Sequence, residues 1–227
     1  MPHARVVAVV NLKGGVSKST TVAALAMEYA RRGLKVLVLD RDVQLALRRL
    51  SDSWQGKTAI PFEVREARSR EAYFSHLESA ATSFDLILVD CPPNFESDAI
   101  ADTLQTADLA LIPLKPSGPD YATTRETKKL VKRVQEKSRP DLVAVLLITI
   151  MIKNSLNEGC AQMIRSDELP TIRTSASSGY GWGCVLTLNR SIYDVPNTEK
   201  TRLELQAIAD EVATLAGIKA TKRKSTK

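Results

Sequence analysis

Short runs of consecutive apolar residues alternate along the chain with segments whose apolar residues recur at helical spacing. A continuous apolar run of this kind is typical of a strand that is buried on both faces of a parallel sheet. The runs that predict strands are Val6–Val10, Lys35–Leu39, Leu86–Val89, Leu109–Ile112 and Leu142–Met151, with a weaker candidate at Ile60–Val64. The pattern therefore predicts at least five strands separated by helices.

The predicted helices lie between these runs, and glycines such as Gly33 and Gly217 mark two of their ends. They are Thr21–Ala30, Gln44–Leu50, Glu71–Ala81, Asp98–Thr106, Tyr121–Lys137, Asn157–Leu169 and Thr198–Ala216. This order predicts an α/β fold with a mostly parallel sheet and helices on both of its faces. We expect one domain over residues 1–217 and a basic, disordered tail over 218–227. The prolines of Pro113–Asp120 are expected to interrupt regular structure, and Ser177–Gly183 to form a glycine–aromatic loop.

The net charge of +6 is concentrated near one end of the chain. The last nine residues carry five cations and no acid, and they include Lys219, Lys222, Arg223 and Lys224. A second set of cations, Lys128, Lys129, Lys132 and Arg133, shares one face of the predicted helix Tyr121–Lys137. Either set could bind the phosphates of DNA, or could simply be solvated.

Composition excludes several classes of site and location. The three cysteines are odd in number and show no Cys-x-x-Cys spacing, which argues against a disulfide framework and against a zinc or iron–sulfur centre. No apolar run approaches the roughly 18 residues of a membrane span, and the first residues do not form a signal peptide. A cytoplasmic protein is expected.

A glycine loop follows the first predicted strand. It is Lys13-Gly14-Gly15-Val16-Ser17-Lys18-Ser19-Thr20, and it leads directly into a helix. A strand, a glycine loop and a helix N-terminus together direct backbone N–H groups at one point, where they can hold phosphate. In such a P-loop, Lys18 would neutralise the outer phosphates and the Ser19 hydroxyl would bind Mg²⁺. The two glycines of the standard pattern are replaced here by Leu12 and Ser17.

Carboxylates end two of the predicted strands. Asp40 and Asp42 follow the strand Lys35–Leu39, and Asp90 follows Leu86–Val89. In doubly wound folds the carboxyl ends of the strands border the ligand site, so these acids are expected close to the glycine loop. A strand that ends in Asp90 has the form of a Walker B strand, whose carboxylate orients the ligands of Mg²⁺.

Together these motifs resemble the ParA/MinD family of ATPases with a deviant Walker A loop, in the small subgroup without an N-terminal helix-turn-helix domain. The resemblance covers Val6 to about Ala216 and depends on Lys13–Thr20, Asp40–Gln44 and Phe84–Pro93. It implies a P-loop NTPase-like fold, with ATP and Mg²⁺ as cofactors. It also implies that Lys13 reaches the nucleotide of a partner subunit, that Asp40 and Asp90 hold Mg²⁺ with Ser19, and that Asp42 activates the attacking water.

The same resemblance implies a partition ATPase. Its ATP-bound homodimer would bind non-specific DNA on the nucleoid, and a ParB-like stimulator would trigger hydrolysis and release, which would move a plasmid or chromosome cargo. One alternative is a positioning ATPase for a protein cargo. Another is a metabolic ligase of the dethiobiotin synthetase type, although its pattern does not explain Lys13. A membrane-bound MinD-like role is not expected, because the end of the chain lacks bulky apolar residues.

Overall fold

The computed structural model describes residues 3–55, 59–93 and 98–219. In these ranges strands and helices alternate from β1 to β6, and three helices follow β6. The strands are β1 (Arg5–Val9), β2 (Val36–Asp40), β3 (Glu63–Glu66), β4 (Leu86–Asp90), β5 (Leu109–Leu114) and β6 (Val143–Ile148). The helices are α1 (Lys18–Arg31), α2 (Ala46–Asp52), α3 (Arg70–Ala80), α4 (Asp98–Thr106), α5 (Gly118–Lys137), α6 (Ser155–Arg165), α7 (Tyr180–Thr187) and α8 (Glu199–Ala216).

The six strands form one sheet in the order β3-β2-β4-β1-β5-β6, and every neighbouring pair is parallel. Alternate residues of each strand point to opposite faces, so the sheet has two apolar cores. One core lies under α1, α2, α7 and α8. The other lies under α3, α4, α5 and α6. The predicted α/β fold with helices on both faces is confirmed.

None of the helices in the described ranges has both the length and the apolar composition to cross a membrane.

Two prolines were expected to break regular structure but lie inside it. Pro113 is part of β5 and pairs with Leu147 of β6. The Leu111 carbonyl accepts the N–H of Val10, so the backbone polar groups of Leu111 point toward β1. Backbone direction alternates along a strand, so the nitrogen of Pro113, two residues later, points to the same side. There β1 has already ended, and the missing N–H of Pro113 costs no ladder hydrogen bond. Pro119 lies in the first turn of α5, where a proline is tolerated for the same reason.

The glycine–aromatic segment is the largest departure from the predicted elements, because α7 occupies Tyr180–Thr187 instead of a loop. Gly181 lies so close to α8 that an added Cβ would be 2.2 Å from Oγ1 and 2.7 Å from Cβ of Thr201. Trp182 is buried and donates its Nε1–H to Glu204 of α8 at 3.0 Å. Tertiary packing therefore stabilises a helix that its glycines disfavour.

Other boundaries shift by a few residues. Helix α6 begins and ends earlier than predicted, and β3 begins later than the candidate strand Ile60–Val64. Strand β6 ends at Ile148, before the predicted Met151, and Ile150 beyond it has a φ of 53° that is incompatible with a strand.

We expect Gly181→Ala to lower the free energy of unfolding by about 1–3 kcal/mol, because the new methyl group overlaps Thr201 and α7 must move away from α8. Gly183→Ala is the matched control in the same helix. A Cβ at Gly183 meets nothing within 4 Å, so this change should stabilise the protein by up to about 1 kcal/mol through helix propensity. Urea unfolding followed by circular dichroism compares the two. Equal effects would contradict the packing of α7 described here.

Candidate functional site

The glycine loop connects β1 to α1 at the carboxyl edge of the sheet. Two of its residues have left-handed backbone angles, Gly15 with φ 71° and Ser17 with φ 67°. Ser17 immediately precedes α1, and its side chain makes no capping hydrogen bond there. A left-handed conformation suits glycine and is strained for serine, so the fold retains at Ser17 the geometry for which the standard pattern uses glycine.

Lys18 is the first residue of α1 and lies folded back over the loop. Its side chain is buried, and Nζ donates to the carbonyl oxygen of Lys13 at 3.0 Å. Burial lowers the pKa of Lys18, and the nearby Asp90 carboxylate opposes that shift. The loop therefore holds an ammonium group close to the N–H groups at the start of α1, which is the arrangement that binds phosphate oxygens.

Ser19 and Asp90 form the core of the site. The Ser19 hydroxyl donates to Oδ2 of Asp90 at 2.6 Å. Asp90 is fully buried, and its Oδ1 has no hydrogen-bond partner among the described residues. Burial raises the pKa of Asp90 to about 7, against the opposing hydrogen bond from Ser19. An unpartnered carboxylate oxygen beside a serine hydroxyl fits a magnesium ion and its water ligands, because Mg²⁺ prefers oxygen donors and retains several waters.

Asp40 lies next to Asp90 in the sheet, since the two are register partners at the ends of β2 and β4. Both oxygens of its carboxylate accept hydrogen bonds from backbone N–H groups. Oδ1 accepts the N–H of Asp42 at 3.2 Å, and Oδ2 accepts the N–H groups of Leu47 and Arg48 at 3.0 and 3.1 Å. Burial raises the pKa of Asp40, and these backbone donors oppose the shift. Asp40 thus fixes the start of α2 in this structure.

Asp42 lies in the turn between β2 and α2, where its Oδ1 accepts the N–H of Gln44 at 2.9 Å. It is largely buried, whereas the next residue, Val43, is 67% exposed. The structure therefore brings Asp40, Asp42, Asp90, Lys18 and Ser19 to one edge of the sheet, as the sequence predicted.

Lys13 is paired within its own chain. Its Nζ lies 3.0 Å from Oδ1 of Asp120 in the first turn of α5. Asp120 also accepts a hydrogen bond from the hydroxyl of Ser117, the residue that caps α5. Burial acts to raise the pKa of Asp120, but the hydrogen bonds from Ser117 and Lys13 outweigh it, and the pKa is lowered. The cross-subunit role that the family resemblance implies for Lys13 would require this ion pair to open.

Polar residues that support the loop were missed by sequence reasoning. Asn11 is fully buried, and its Oδ1 accepts the N–H of Lys13 at 3.0 Å while its Nδ2 donates to the Pro113 carbonyl at 2.9 Å. Thr149, after β6, donates its hydroxyl to the carbonyl of Val16 at 3.1 Å. A polar Asn11 directly after an apolar strand was an available signal, but Thr149 had none, because its role depends on the distant end of β6.

The predicted basic face of α5 is only partly exposed. Lys128 departs from that expectation, because its Nζ lies 2.6 Å from both carboxylate oxygens of Asp167 and its side chain is 15% exposed. Lys129 is exposed but pairs with Glu126. Lys132 and Arg133 are exposed. In the predicted tail, Lys219 is exposed, and Lys222, Arg223 and Lys224 lie outside the described residues.

Comparison with known proteins gives one family match. The model of the family described as "CobQ/CobB/MinD/ParA nucleotide binding domain" matches residues 7–178. This range includes β2 to β6, the last three residues of β1 and every predicted nucleotide-site residue from Lys13 to Asp90.

Two curated relatives carry the name "Maintenance of carboxysome distribution protein A". The protein from Gloeobacter kilaueensis is 36% identical over 128 residues, which are 55% of this chain and 56% of the relative. The protein from Halothiobacillus neapolitanus is 31% identical over 147 residues, which are 62% and 64%. The chain therefore spans less than two thirds of the length of either relative.

A solved structure shares the fold. The septum site-determining protein MinD from Pyrococcus horikoshii, complexed with Mg-ADP, superposes with a TM-score of 0.71. The match covers 96% of this chain and 100% of that one, at 18% sequence identity. At this identity the likeness concerns the fold alone.

We expect Asp120→Asn to lower the free energy of unfolding by about 1 kcal/mol at pH 7, because it removes the charge that holds Lys13 and the N-terminal turn of α5. The folded pKa of Asp120 lies below its ordinary value. The stabilisation is therefore fully present above about pH 4 and is lost as the pH falls through the folded pKa. Chemical unfolding at pH 7 and pH 3 measures the difference in the free energy of unfolding between wild type and variant.

This difference in unfolding free energy should be smaller at pH 3. An equal difference at both pH values would contradict a stabilising role for the charge of Asp120. Asp52→Asn is the matched control, because Asp52 forms an exposed pair with Arg48. It should change the stability by less than about 0.5 kcal/mol.

Proposed function

Because the chain belongs to the CobQ/CobB/MinD/ParA nucleotide-binding family, we propose that it is an ATPase that uses ATP and Mg²⁺ to position a protein cargo within the cell. The observation that carries the proposal is the Ser19–Asp90 pair beside Lys18, in which no described residue bonds to Oδ1 of Asp90. These groups have the charge and the oxygen donors that a magnesium nucleotide requires.

The phosphate loop binds the nucleotide. The N–H groups at the start of α1 and the Lys18 ammonium hold the outer phosphates, which requires Lys18 to exchange the Lys13 carbonyl for phosphate oxygen. Ser19 and Asp90 would hold Mg²⁺, and Asp40 would do so through water. Mg²⁺ held there would supply positive charge that offsets the negative charge of the phosphates. Mg²⁺ and ADP are bound by the P. horikoshii MinD protein, which has the same fold.

Asp42 orients the attacking water and accepts its proton. The carboxylate is held by the N–H of Gln44 in a turn that begins at Asp40, so its position depends on the end of β2. Lys13 completes the site of a second subunit after its ion pair with Asp120 opens. ATP binding and dimer formation are thereby linked, since a ligand that binds the dimer more tightly than the monomer shifts the equilibrium toward the dimer.

A protein cargo is favoured over a DNA cargo by the two relatives named for carboxysome distribution, at 36% and 31% identity. Non-specific DNA remains the surface along which the dimer moves in this proposal, with Lys132, Arg133 and the basic tail as its contacts. The partner is then a cargo-bound protein that stimulates hydrolysis and release. Partition of a plasmid or chromosome by a ParB-like stimulator is the second candidate, and the ParA name within the family supports it.

Binding to random-sequence duplex DNA without nucleotide, with ADP and with ATP tests the proposed cycle. We expect ATP alone to promote binding by at least about tenfold, and salt to weaken it. Asp42→Ala should still bind DNA but remain bound longer, because its hydrolysis is slow. Lys13→Ala should bind ATP but fail to dimerise in light scattering. A chain that binds DNA equally in all three nucleotide states would refute the switch.

The Asp42→Ala variant also separates the two cargo classes. Cross-linked DNA recovered with this variant from its native cells should cover the genome evenly if the cargo is a protein assembly. Strong enrichment around one locus would instead identify a centromere-like site and overturn the protein-cargo proposal in favour of DNA partition.

Ser17→Gly should raise the turnover number severalfold with little change in nucleotide affinity, because the loop could then approach the transferred phosphate without the strain of a left-handed serine. Ser17→Ala is the control, since it removes the hydroxyl but retains Cβ and its strain. It should turn over no faster than wild type. If phosphate release by Ser17→Gly matched that of wild type, strain at this position would not limit hydrolysis.

A further inference from the structure

Arg41 is a buried cation between Asp40 and Asp42. Its side chain is 1% exposed. Asp40 ends β2 on the face covered by α1 and α2, and Arg41 is one residue further, so its side chain goes to the opposite face, under α3 and α4.

The guanidinium group connects three segments of that face. Nε donates to the carbonyl of Ala67 at 3.2 Å, after β3. Nη1 donates to the carbonyl of Ala99 at 2.7 Å and to Oγ1 of Thr103 at 2.9 Å, both on α4. The group lies 3.9 Å from the ring centroid of Tyr73 on α3.

The backbone at Arg41 is held from both neighbouring strands. The Arg41 N–H donates to the carbonyl of Asp90 at 3.1 Å. The Ala67 N–H donates to the carbonyl of Asp40 at 2.9 Å, so Ala67 is bonded to this segment through both its N–H and its C=O. The turn that carries Asp42 is therefore anchored on the face of the sheet opposite Asp40.

A merely structural side chain at this position would not need a charge. The carboxylate of Asp102 lies 3.9 Å from Nη2 of Arg41, but Asp102 already has Arg70 at 2.9 Å. Burying a guanidinium is costly unless its hydrogen bonds are well made, and replacing such a group with an apolar one is often neutral for stability. The several N–H donors of the planar guanidinium instead fix the segments that they bond in one relative orientation, which an apolar side chain cannot do.

We propose that Arg41 is a positioning residue that sets the place of Asp42 by fastening the end of β2 to α3, α4 and the segment after β3. The inference rests on the proposed function, because Asp42 is the group that it serves. Arg41 touches neither nucleotide nor water in this role. Its effect on hydrolysis passes through the turn Asp40–Gln44.

Amide hydrogen exchange without nucleotide tests the anchoring directly. In Arg41→Met, the N–H groups of Leu47 and Arg48, which bond to Asp40, should exchange at least about fivefold faster than in wild type. Tyr73→Phe is the matched control, because it removes the Tyr73–Thr106 hydrogen bond of the same face and keeps the ring against Arg41. It should leave those two amides unchanged. Equal exchange in Arg41→Met and wild type would overturn the proposal.

Steady-state ATP hydrolysis tests the consequence. Arg41→Met should lower kcat at least about tenfold with KM within about twofold, as expected for a displaced catalytic group. Arg41→Lys should have a kcat between those of Arg41→Met and wild type, because it keeps a buried cation that can donate hydrogen bonds. This variant provides the comparison with wild type if Arg41→Met folds poorly. In the Asp42→Asn background, Arg41→Met should have no further effect on kcat. Additive losses would show that Arg41 does not act through Asp42, and an equal loss in Tyr73→Phe would show that any disturbance of this face slows hydrolysis. Either result would overturn the proposal.

The two proposals fail in different ways. If Asp42→Asn hydrolyses ATP as fast as wild type, the proposed function of Asp42 is wrong, whatever Arg41 does to the exchange of Leu47 and Arg48. If Asp42→Asn is slow but Arg41→Met is not, only the role of Arg41 is wrong.

Discussion

The in-register pairing of three parallel strands is the constraint on which the site depends. Val9, Asp90 and Asp40 lie side by side in β1, β4 and β2, so the phosphate loop, the buried Asp90 and the turn to Asp42 begin at one line across the sheet. A slip of one residue in either pairing would turn a carboxylate to the opposite face. The aliphatic run before each carboxylate resists such a slip only weakly, because both faces of the strand are apolar. The helices packed on both faces of the sheet therefore also fix the register.

Burial of charge at this edge explains the electrostatics of the site. Burial removes hydration from Asp90, Asp40 and Lys18, which disfavours their charged forms. The pKa values of the two carboxyl groups are therefore raised, and the pKa of the lysine is lowered. Each group is held by a short-range partner that opposes the shift, namely Ser19 for Asp90, backbone N–H groups for Asp40 and the surrounding carboxylates for Lys18. The exception is Oδ1 of Asp90, which has no partner in the part of the chain that the structure describes and could bind the Mg²⁺ of a nucleotide.

Two basic side chains connect the site to helices on either side of it. Lys13 is tied to Asp120 of α5, so the lysine that the family resemblance assigns to a partner subunit is held in its own chain. Arg41 ties the opposite side of the same edge to α3 and α4. Movement of the phosphate loop or of Asp42 therefore has to act against α5 on one side and against α3 and α4 on the other.

The sequence by itself determined the order of the strands and of every described helix except α7, together with the parallel sheet and the residues that meet at its carboxyl edge. Strand burial and the glycine loop are local patterns with few structural solutions. Only the tertiary structure decided the states of individual side chains. Pro113 stays in a strand because β1 ends before it, α7 forms because Gly181 and Trp182 pack on α8, and Lys128 is removed from the basic face by Asp167. Each of these outcomes depends on a residue distant in sequence, and periodicity carries no information about such contacts.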